Sequence, residues 1–311
     1  MAIELGVQLP QLRYFRLSTD VADVARGLEE QGFDSAWCFD RLLVPEDQSG
    51  EHGLYGVPGL PWNDFYRHVP DPIVTLSMAA AVTKRIKLGT SVLIAPLHHP
   101  VRLARSLATL DAATEGRFLM GLGTGWSPDE YDAAAERPFK ERGAALDEFL
   151  DIAEAMWGPD PVSYKGDRHV IVRSAIGPKP AGRIPVLLGA STEKAFSRIA
   201  RRADGWLPTG VPPSGVASTL ARIRELAVEY GRAPEGIRSF YQILTDDLSP
   251  VDPGSRQPFQ GSLGQLVDDI GELAGAGVEH VFLTLPLAVR EKGALLDASA
   301  ELIARVREAG L

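Results

Sequence analysis

The sequence contains a single cysteine, Cys38, among its 311 residues, so a disulfide within the chain is excluded. The lack of disulfides is typical of a reducing compartment, and we expect a cytoplasmic protein. Cys38 lies in the apolar run of residues 36–39, with no activating base beside it in the sequence. This setting favours an inert core thiol over a catalytic nucleophile.

An excess of positive charge is also absent. The chain has 41 acidic and 32 basic residues, a formal net charge of -9 and no marked block of Lys and Arg. This balance argues against nucleic acid or an anionic membrane surface as the main partner. No uncharged apolar run reaches the ~18 residues of a membrane span, and the N-terminus has no signal-peptide pattern. We therefore expect a small-molecule substrate as the partner.

Strand and helix patterns alternate eight times along the chain. The predicted strands begin near residues 3, 35, 86, 117, 185, 205, 237 and 280, and the last helix is predicted at about 297–308. Eight such units predict an α/β fold, a single (β/α)8 TIM barrel over residues 1–311 with insertions in its loops. The alternation at 169–172 predicts a short extra strand or hairpin in one of these insertions.

Two of the predicted parallel strands end in small residues. The run 86–94 contains Gly89, Thr90 and Ser91, whose low bulk would let a flat ligand lie against the backbone. The next strand ends at Gly123 and is followed closely by Trp126, for which we favour contact with a cofactor. A classical dinucleotide fingerprint is not matched, because its sixth position should be Gly or Ala and is Trp126. The alternative is a simple tight turn.

A third small-residue turn, Gly189-Ala190-Ser191, follows the fifth predicted strand and precedes a helix. Backbone N–H groups at such a turn can approach an anion, and the helix dipole adds to the attraction. The turn is therefore a candidate phosphate site. A plain strand-to-helix turn capped by Ser191 or Thr192 is the alternative.

Polar and aromatic candidates come from the loops after the second and third strands. Asp40 and Arg41 are suited to hold the polar edge of a ligand, with an exposed salt bridge as the alternative. Trp62 and Tyr66 are candidates for lining a substrate pocket, with packing of their loop onto the barrel as the alternative, and His98 is a candidate for substrate contact. We expect no metal site, because no group of residues has ligand spacing. A glycosidase that uses carboxylates such as Asp40 and Glu130 would leave the small-residue strand ends unexplained.

The order of several motifs resembles a known family. They are Gly32-Phe33-Asp34-Ser35-Ala36-Trp37, Asp71-Pro72, Arg85-Ile86-Lys87-Leu88-Gly89-Thr90-Ser91-Val92, Ala108-Thr109-Leu110-Asp111, Gly116-Arg117-Phe118, Gly121-Leu122-Gly123-Thr124-Gly125-Trp126 and Ala203-Asp204-Gly205-Trp206. Together they resemble the bacterial luciferase-like monooxygenase family over residues 1 to about 210, and most closely its branch that uses the deazaflavin coenzyme F-420.

The resemblance implies a barrel with the deazaflavin ring against the third strand. It implies a non-prolyl cis peptide at Ser91–Val92, a phosphate tail at Gly189, Ala190 and Ser191, and a homodimer. The family often has His after the strand-two Asp, and its sugar-phosphate dehydrogenases use that His and a Glu after the strand-four Gly-x-Gly. This chain has Arg41 and Trp126 there, so glucose-6-phosphate oxidation is not expected.

These inferences lead to one functional hypothesis with two alternatives. The hypothesis is an F-420-dependent oxidoreductase that passes a hydride between the deazaflavin C5 and a small organic substrate. Asp40 and Arg41 are its candidate catalytic residues. Asp40, Thr90, Ser91, Val92, Gly123, Trp126 and residues 189–191 are its candidate cofactor contacts. The alternatives are an FMN-dependent monooxygenase and a non-catalytic barrel that binds a cofactor or metabolite.

Overall fold

The computed structural model describes residues 2–311 and has regular elements along its whole length. The strands are β1 (Glu4–Gln8), β2 (Ser35–Cys38), β3 (Lys87–Thr90), β4 (Leu93–Ile94), β5 (Phe118–Gly123), β6 (Val162–Lys165), β7 (Val170–Ser174), β8 (Val186–Leu188), β9 (Gly205–Trp206), β10 (Arg238–Ile243) and β11 (His280–Leu283). The α-helices are α1 (Asp20–Gln31), α2 (Pro72–Ala80), α3 (Pro100–Ala113), α4 (Pro128–Ala134), α5 (Arg142–Trp157), α6 (Glu193–Arg202), α7 (Pro213–Glu229), α8 (Leu263–Gly275) and α9 (Lys292–Glu308).

The main sheet closes on itself. Its strand order is β3-β2-β1-β11-β10-β9-β8-β5-β4, and β3 also pairs with β5 through Leu88 and Phe118. All of these pairings are parallel, and β3 and β4 are two parts of one barrel position. The predicted eight-stranded α/β barrel is therefore confirmed, with its ligand-binding loops expected at the carboxyl ends of the strands.

The third barrel strand is not continuous, which corrects the prediction of one strand over 86–94. The Ser91–Val92 peptide is cis, as the family resemblance implies, and it separates β3 from β4. The backbone N–H of Ser91 still donates to Cys38 O at 2.7 Å, and Asp40 N donates to Val92 O at 3.2 Å. These two hydrogen bonds hold Ser91 and Val92 against the end of β2, at the carboxyl ends of the barrel strands.

Two further predictions concern the helices and the long insertion. The last helix was predicted to start at about 297, but α9 begins at Lys292, because the carboxylate of Glu291 caps it by accepting from Ala294 N at 2.9 Å. The extra hairpin is confirmed: β6 and β7 pair antiparallel outside the barrel.

In residues 2–311 no helix combines the length and the apolar character needed to cross a membrane.

A chain of buried polar groups lies at the amino end of the barrel. Trp37 Nε1 donates to Ser35 Oγ at 2.6 Å, Ser35 Oγ lies 2.6 Å from His280 Nε2, and His280 Nδ1 lies 2.8 Å from Glu4 Oε2. Each group is satisfied when His280 is neutral, with Ser35 donating to Nε2 and Nδ1–H donating to Glu4. The network thus joins β1, β2 and β11 beneath the apolar core.

Cys38 is part of the core, at the end of β2. It is 1% exposed, and its Sγ lies 3.5 Å from the carbonyl oxygen of Pro72 in α2. Burial raises the pKa of its thiol, and the nearby charges of Asp40 and Asp71 raise it further. The thiol is therefore held in its neutral, unreactive form.

Candidate functional site

A cavity of about 710 Å³ lies at the carboxyl ends of the barrel strands. Its floor includes Ser91 and Val92, and its walls come from the loop after β2, the turn after β5 and the ends of β10 and β11. This is the face on which (β/α)8 enzymes place their active sites, and the volume is typical of a site for a cofactor or ligand. The cavity therefore is the candidate active site.

The floor of the cavity carries an unsatisfied hydrogen-bond donor. Gln8, the last residue of β1, is only 3% exposed, and within residues 2–311 its Nε2 has no partner. Beside it, Ser91 Oγ donates to Gln242 Oε1 at 3.0 Å, which fixes the Gln242 amide. A buried donor without a partner costs about 1–3 kcal/mol, so a polar ligand atom at this floor would be stabilising. Gln8 is not among the site residues predicted from the sequence, although a polar residue at the end of a buried strand can indicate a ligand-binding position.

Asp40 lines the cavity where β2 ends. Its Oδ2 accepts a hydrogen bond from Ile94 N at 3.1 Å, and the same oxygen lies 3.5 Å from His98 Nε2. His98 itself is not among the cavity-lining residues, so it reaches the site through Asp40. The second oxygen of Asp40 remains available to a ligand.

Arg41 is paired with Glu130 and not with its neighbour Asp40. Arg41 Nη1 donates to Glu130 Oε2 at 2.6 Å, and the two side chains are 5% and 1% exposed. Glu130 Oε1 also accepts from Leu42 N at 2.7 Å. Burial raises the pKa of Glu130, and the Arg41 guanidinium and this backbone amide oppose the rise. The exposed salt bridge considered for Arg41 is thus replaced by a buried one, which fixes the guanidinium in the cavity wall.

Aromatic rings surround the same guanidinium. Its central carbon lies 4.4 Å from the ring centre of Trp126 and 5.1 Å from those of Trp62 and Tyr66. We call Arg41 with these three rings the aromatic wall. Trp126 and Tyr66 line the cavity, whereas Trp62 lies behind them, 7% exposed, and donates through its indole N–H to His52 O at 2.8 Å. Burial raises the pKa of the Tyr66 hydroxyl, which therefore stays protonated at neutral pH.

Small residues support Ser91 and Val92 from below. Thr90 is fully buried, and its hydroxyl donates to Gly121 O at 2.7 Å, so it is engaged within the barrel. A Cβ added at Gly123 would come within 2.6 Å of Val92 Cγ2. Gly123 therefore leaves room for the Val92 side chain, and neither Thr90 nor Gly123 lines the cavity.

The predicted phosphate turn lies beside this floor. Gly189 follows β8, and a Cβ at this position would lie 3.7 Å from Val92 Cγ1. Gly189 and Ser191 are exposed and Ala190 is half-buried; Thr192 caps α6 by accepting from Ala195 N. The turn does not line the cavity itself, and the N–H of Gly189 donates to Leu122 O at 3.2 Å, so Ala190 and Ser191 carry its candidate anion-binding N–H groups.

Comparison with known proteins identifies the family. The sequence profile of the luciferase-like monooxygenases matches residues 15–245. The chain belongs to this family. It is accordingly an oxidoreductase. Among similar curated proteins, an uncharacterized protein of Mycobacterium tuberculosis (strain H37Rv) is 39% identical over 190 residues, which span 60% of this chain and 67% of that protein.

A second relative carries a functional name. An F-420-dependent glucose-6-phosphate dehydrogenase of Nakamurella multipartita is 33% identical over 205 residues, covering 65% of this chain and 56% of that protein. Among solved structures, an F-420-dependent secondary alcohol dehydrogenase in complex with an F-420–acetone adduct superposes with a TM-score of 0.79 and 18% identity, covering 99% of this chain and all of the other. The structural match supports the same fold.

Proposed function

We propose that this protein is an F-420-dependent oxidoreductase that transfers a hydride between the deazaflavin C5 and a small organic substrate. The proposal rests mainly on the cavity floor, where the buried Gln8 Nε2, which has no partner within residues 2–311, lines the same cavity as Ser91 and Val92. The 33% identical relative named as an F-420-dependent dehydrogenase supports the choice of cofactor.

The donor set fits a deazaflavin. A flat ring system needs a surface on which one of its faces can pack, and Ser91 and Val92 form such a surface at the floor of the cavity. The polar edge of such a ring needs donors and acceptors. Gln8 Nε2 and Asp40 Oδ1 are suited to this, since neither makes a hydrogen bond within the part of the chain that the structure describes. When bound, the deazaflavin supplies a carbon that accepts or donates a hydride. The anionic tail would lie beside Gly189 and be held by the backbone N–H groups of Ala190 and Ser191, because the Gly189 N–H donates to Leu122 O at 3.2 Å.

The chain's own residues would divide the remaining work. Asp40, held by Ile94 N and close to His98, would orient the polar edge of the ligand or exchange the proton that accompanies hydride transfer. Arg41 would keep the aromatic wall in place, and Tyr66 and Trp126 would enclose an apolar part of the substrate. We do not propose glucose 6-phosphate as the substrate, because Arg41 and Trp126 stand where the resemblance implies the sugar-phosphate enzymes have His and Glu.

The first experiment is a fluorescence titration of the purified chain with F-420 and, separately, with FMN. Tight binding of F-420 and weak binding of FMN are expected. The reverse preference, together with oxygen uptake in the presence of reduced FMN, would instead make the protein a flavin monooxygenase. Binding of neither cofactor would contradict both assignments.

A pair of variants tests the phosphate turn. Gly189→Asp places a carboxylate beside the proposed phosphate, and a like-charge contact near 4 Å costs about 1–4 kcal/mol at effective dielectric constants of 80 to 20. The affinity for F-420 should therefore fall between about fivefold and about a thousandfold. Gly189→Ala is the matched control, because a Cβ there makes only 3.7 Å contacts and the fold tolerates it. Equal affinities of the two variants would refute the assignment of the turn.

A further inference from the structure

Three potential metal ligands meet on the outside of the barrel, away from the cavity. His99 directly precedes α3, Glu136 lies between α4 and α5, and His169 precedes β7 in the outer hairpin. Their candidate ligand atoms all lie within 4.8 Å of one another. We call these residues the His99–Glu136–His169 cluster; the proposed F-420 chemistry does not use it.

The separations within the cluster are close to those of a coordination shell. His169 Nε2 lies 3.0 Å from Glu136 Oε2, and His99 Nε2 lies 3.9 Å from Glu136 Oε1. The two imidazole rings meet edge to face with their centres 5.5 Å apart. Bonds of about 2.0–2.2 Å to one ion bring neighbouring ligand atoms about 3–4 Å apart. Small side-chain rotations therefore suffice, and the exposed His99 and Glu136 are free to make them.

A fourth residue supports the tautomer that metal binding needs. The buried Nδ1 of His169 lies 3.3 Å from Glu148 Oε1, although it makes no well-aligned hydrogen bond there. Glu148 is itself fixed by Arg137 and by the backbone N–H of Arg168, the latter at 3.0 Å. A proton on Nδ1 would face this carboxylate and leave the Nε2 lone pair directed at the cluster. A carboxylate behind a ligating histidine is the usual second partner in metal sites.

From this geometry we propose that His99, Glu136 and His169 bind a divalent transition metal ion of the Zn²⁺ class, with Glu148 positioning His169. Two imidazoles and one carboxylate form a ligand set that suits Zn²⁺ and leaves coordination positions for water. The carboxylate of Glu136 balances part of the charge of the ion, whereas that of Glu148 is already paired with Arg137. The bound ion would tie the β6–β7 hairpin to the start of α3.

The competing explanation is a metal-free ion pair. A protonated His169 would donate from Nε2 to Glu136 and from Nδ1 to Glu148, which would satisfy both carboxylates without an ion. In that arrangement His99 contributes little, since its Nε2 is 3.9 Å from Glu136 and its side chain is 44% exposed. The involvement of His99 in binding therefore separates the two explanations.

Calorimetric titration of the chelator-treated full chain with Zn²⁺ alone tests the proposal. We expect one ion per chain, and an affinity reduced at least about tenfold in each of His99→Gln, Glu136→Gln and His169→Gln. His68→Gln is the matched control, because His68 is exposed and lies outside the cluster. The Zn²⁺ affinity of this variant should equal that of the native chain. Unfolding midpoints measured with EDTA show whether each variant is folded.

The second readout is the unfolding midpoint of the chain. Zn²⁺ should raise the unfolding midpoint of the native chain and of His68→Gln, but not that of His99→Gln, because a ligand that binds only the folded state stabilises it. Absence of binding at micromolar Zn²⁺ would overturn the proposal. Native-like affinity in His99→Gln and His169→Gln would overturn it as well. Neither readout depends on F-420, so the result is independent of the proposed function.

Discussion

Replacing Glu130 by Gln should destabilise the protein through Arg41. The substitution keeps the size of the side chain and removes its charge, which leaves a guanidinium that is 5% exposed without its partner at 2.6 Å. Removing one member of a buried ion pair typically costs about 3–5 kcal/mol. The Gln oxygen can still accept from Leu42 N, and the rings of the aromatic wall still face the cation. We therefore expect the lower end, about 3 kcal/mol.

The size of the thermal shift follows from the chain length. An unfolding entropy of about 2.1 cal/mol/K per residue over 311 residues converts about 3 kcal/mol into a midpoint lowered by about 5 °C. Circular dichroism at neutral pH measures this shift. Because a buried pair is screened little by salt, the shift should persist at high ionic strength.

The double variant Arg41→Met with Glu130→Gln is the control that separates the pair from its surroundings. It removes the unpaired cation and keeps an amide oxygen that can accept from Leu42 N, so most of the lost stability should return. A shift below about 1 °C in Glu130→Gln would refute the reasoning. So would a double variant whose loss equals the sum of the losses measured for Arg41→Met and Glu130→Gln alone, because the two charges would then be uncoupled.

Three further outcomes can be measured. The hydrogen bond from His280 lowers the pKa of Glu4, and burial lowers the pKa of His280, so both groups bind more protons in the unfolded state. The free energy of unfolding should therefore be highest above about pH 6.5 and decrease as the pH falls below about 6.5 and then below about 4.3. The decrease should be smaller in His280→Gln, and urea unfolding at a series of pH values measures it. Gly121→Ala should yield little folded protein in a solubility assay, because its Cβ would overlap the backbone oxygen of Thr90; unchanged yield would contradict this. Ser262→Ala removes the capping box of α8 and should cost about 1 kcal/mol by urea unfolding, whereas no change would show that the cap is redundant.

The starts of some helices have local causes that can be read from the sequence. Asp71 caps α2 by accepting from Val74 N, with Pro72 as its first residue, and Ser127 caps the short helix α4. The fold class indicates where the cavity lies, because eight parallel strands bring their carboxyl ends to one face. Of the small residues predicted there, Ser91 lines the cavity, whereas Thr90, Gly123 and Gly189 do not. These inferences needed only neighbours in the chain and the rules of the fold class.

The partners of the charged groups could not be predicted, because they depend on contacts between distant segments. Arg41 and Glu130 are 89 positions apart, and nothing in the sequence favours this pair over Asp40 with Arg41. The ligands of the His99–Glu136–His169 cluster likewise come from three separate segments, which is why spacing in the sequence predicted no metal site. The break between β3 and β4 could not be predicted from the apolar pattern for another reason. An apolar run indicates burial equally well for a continuous strand and for an interrupted one.

Cys38 gives this protein a built-in reporter of its own opening. The thiol is the only one in the sequence, and it lies between β2 and α2 with 1% of its surface exposed. A thiol reagent can therefore react only when that contact separates, and the labelling rate measures how often it does. A ligand that packs on Val92, whose carbonyl oxygen accepts from Asp40 N just beyond β2, should slow the labelling. Binding of a colourless, non-fluorescent compound could then be followed without an engineered probe.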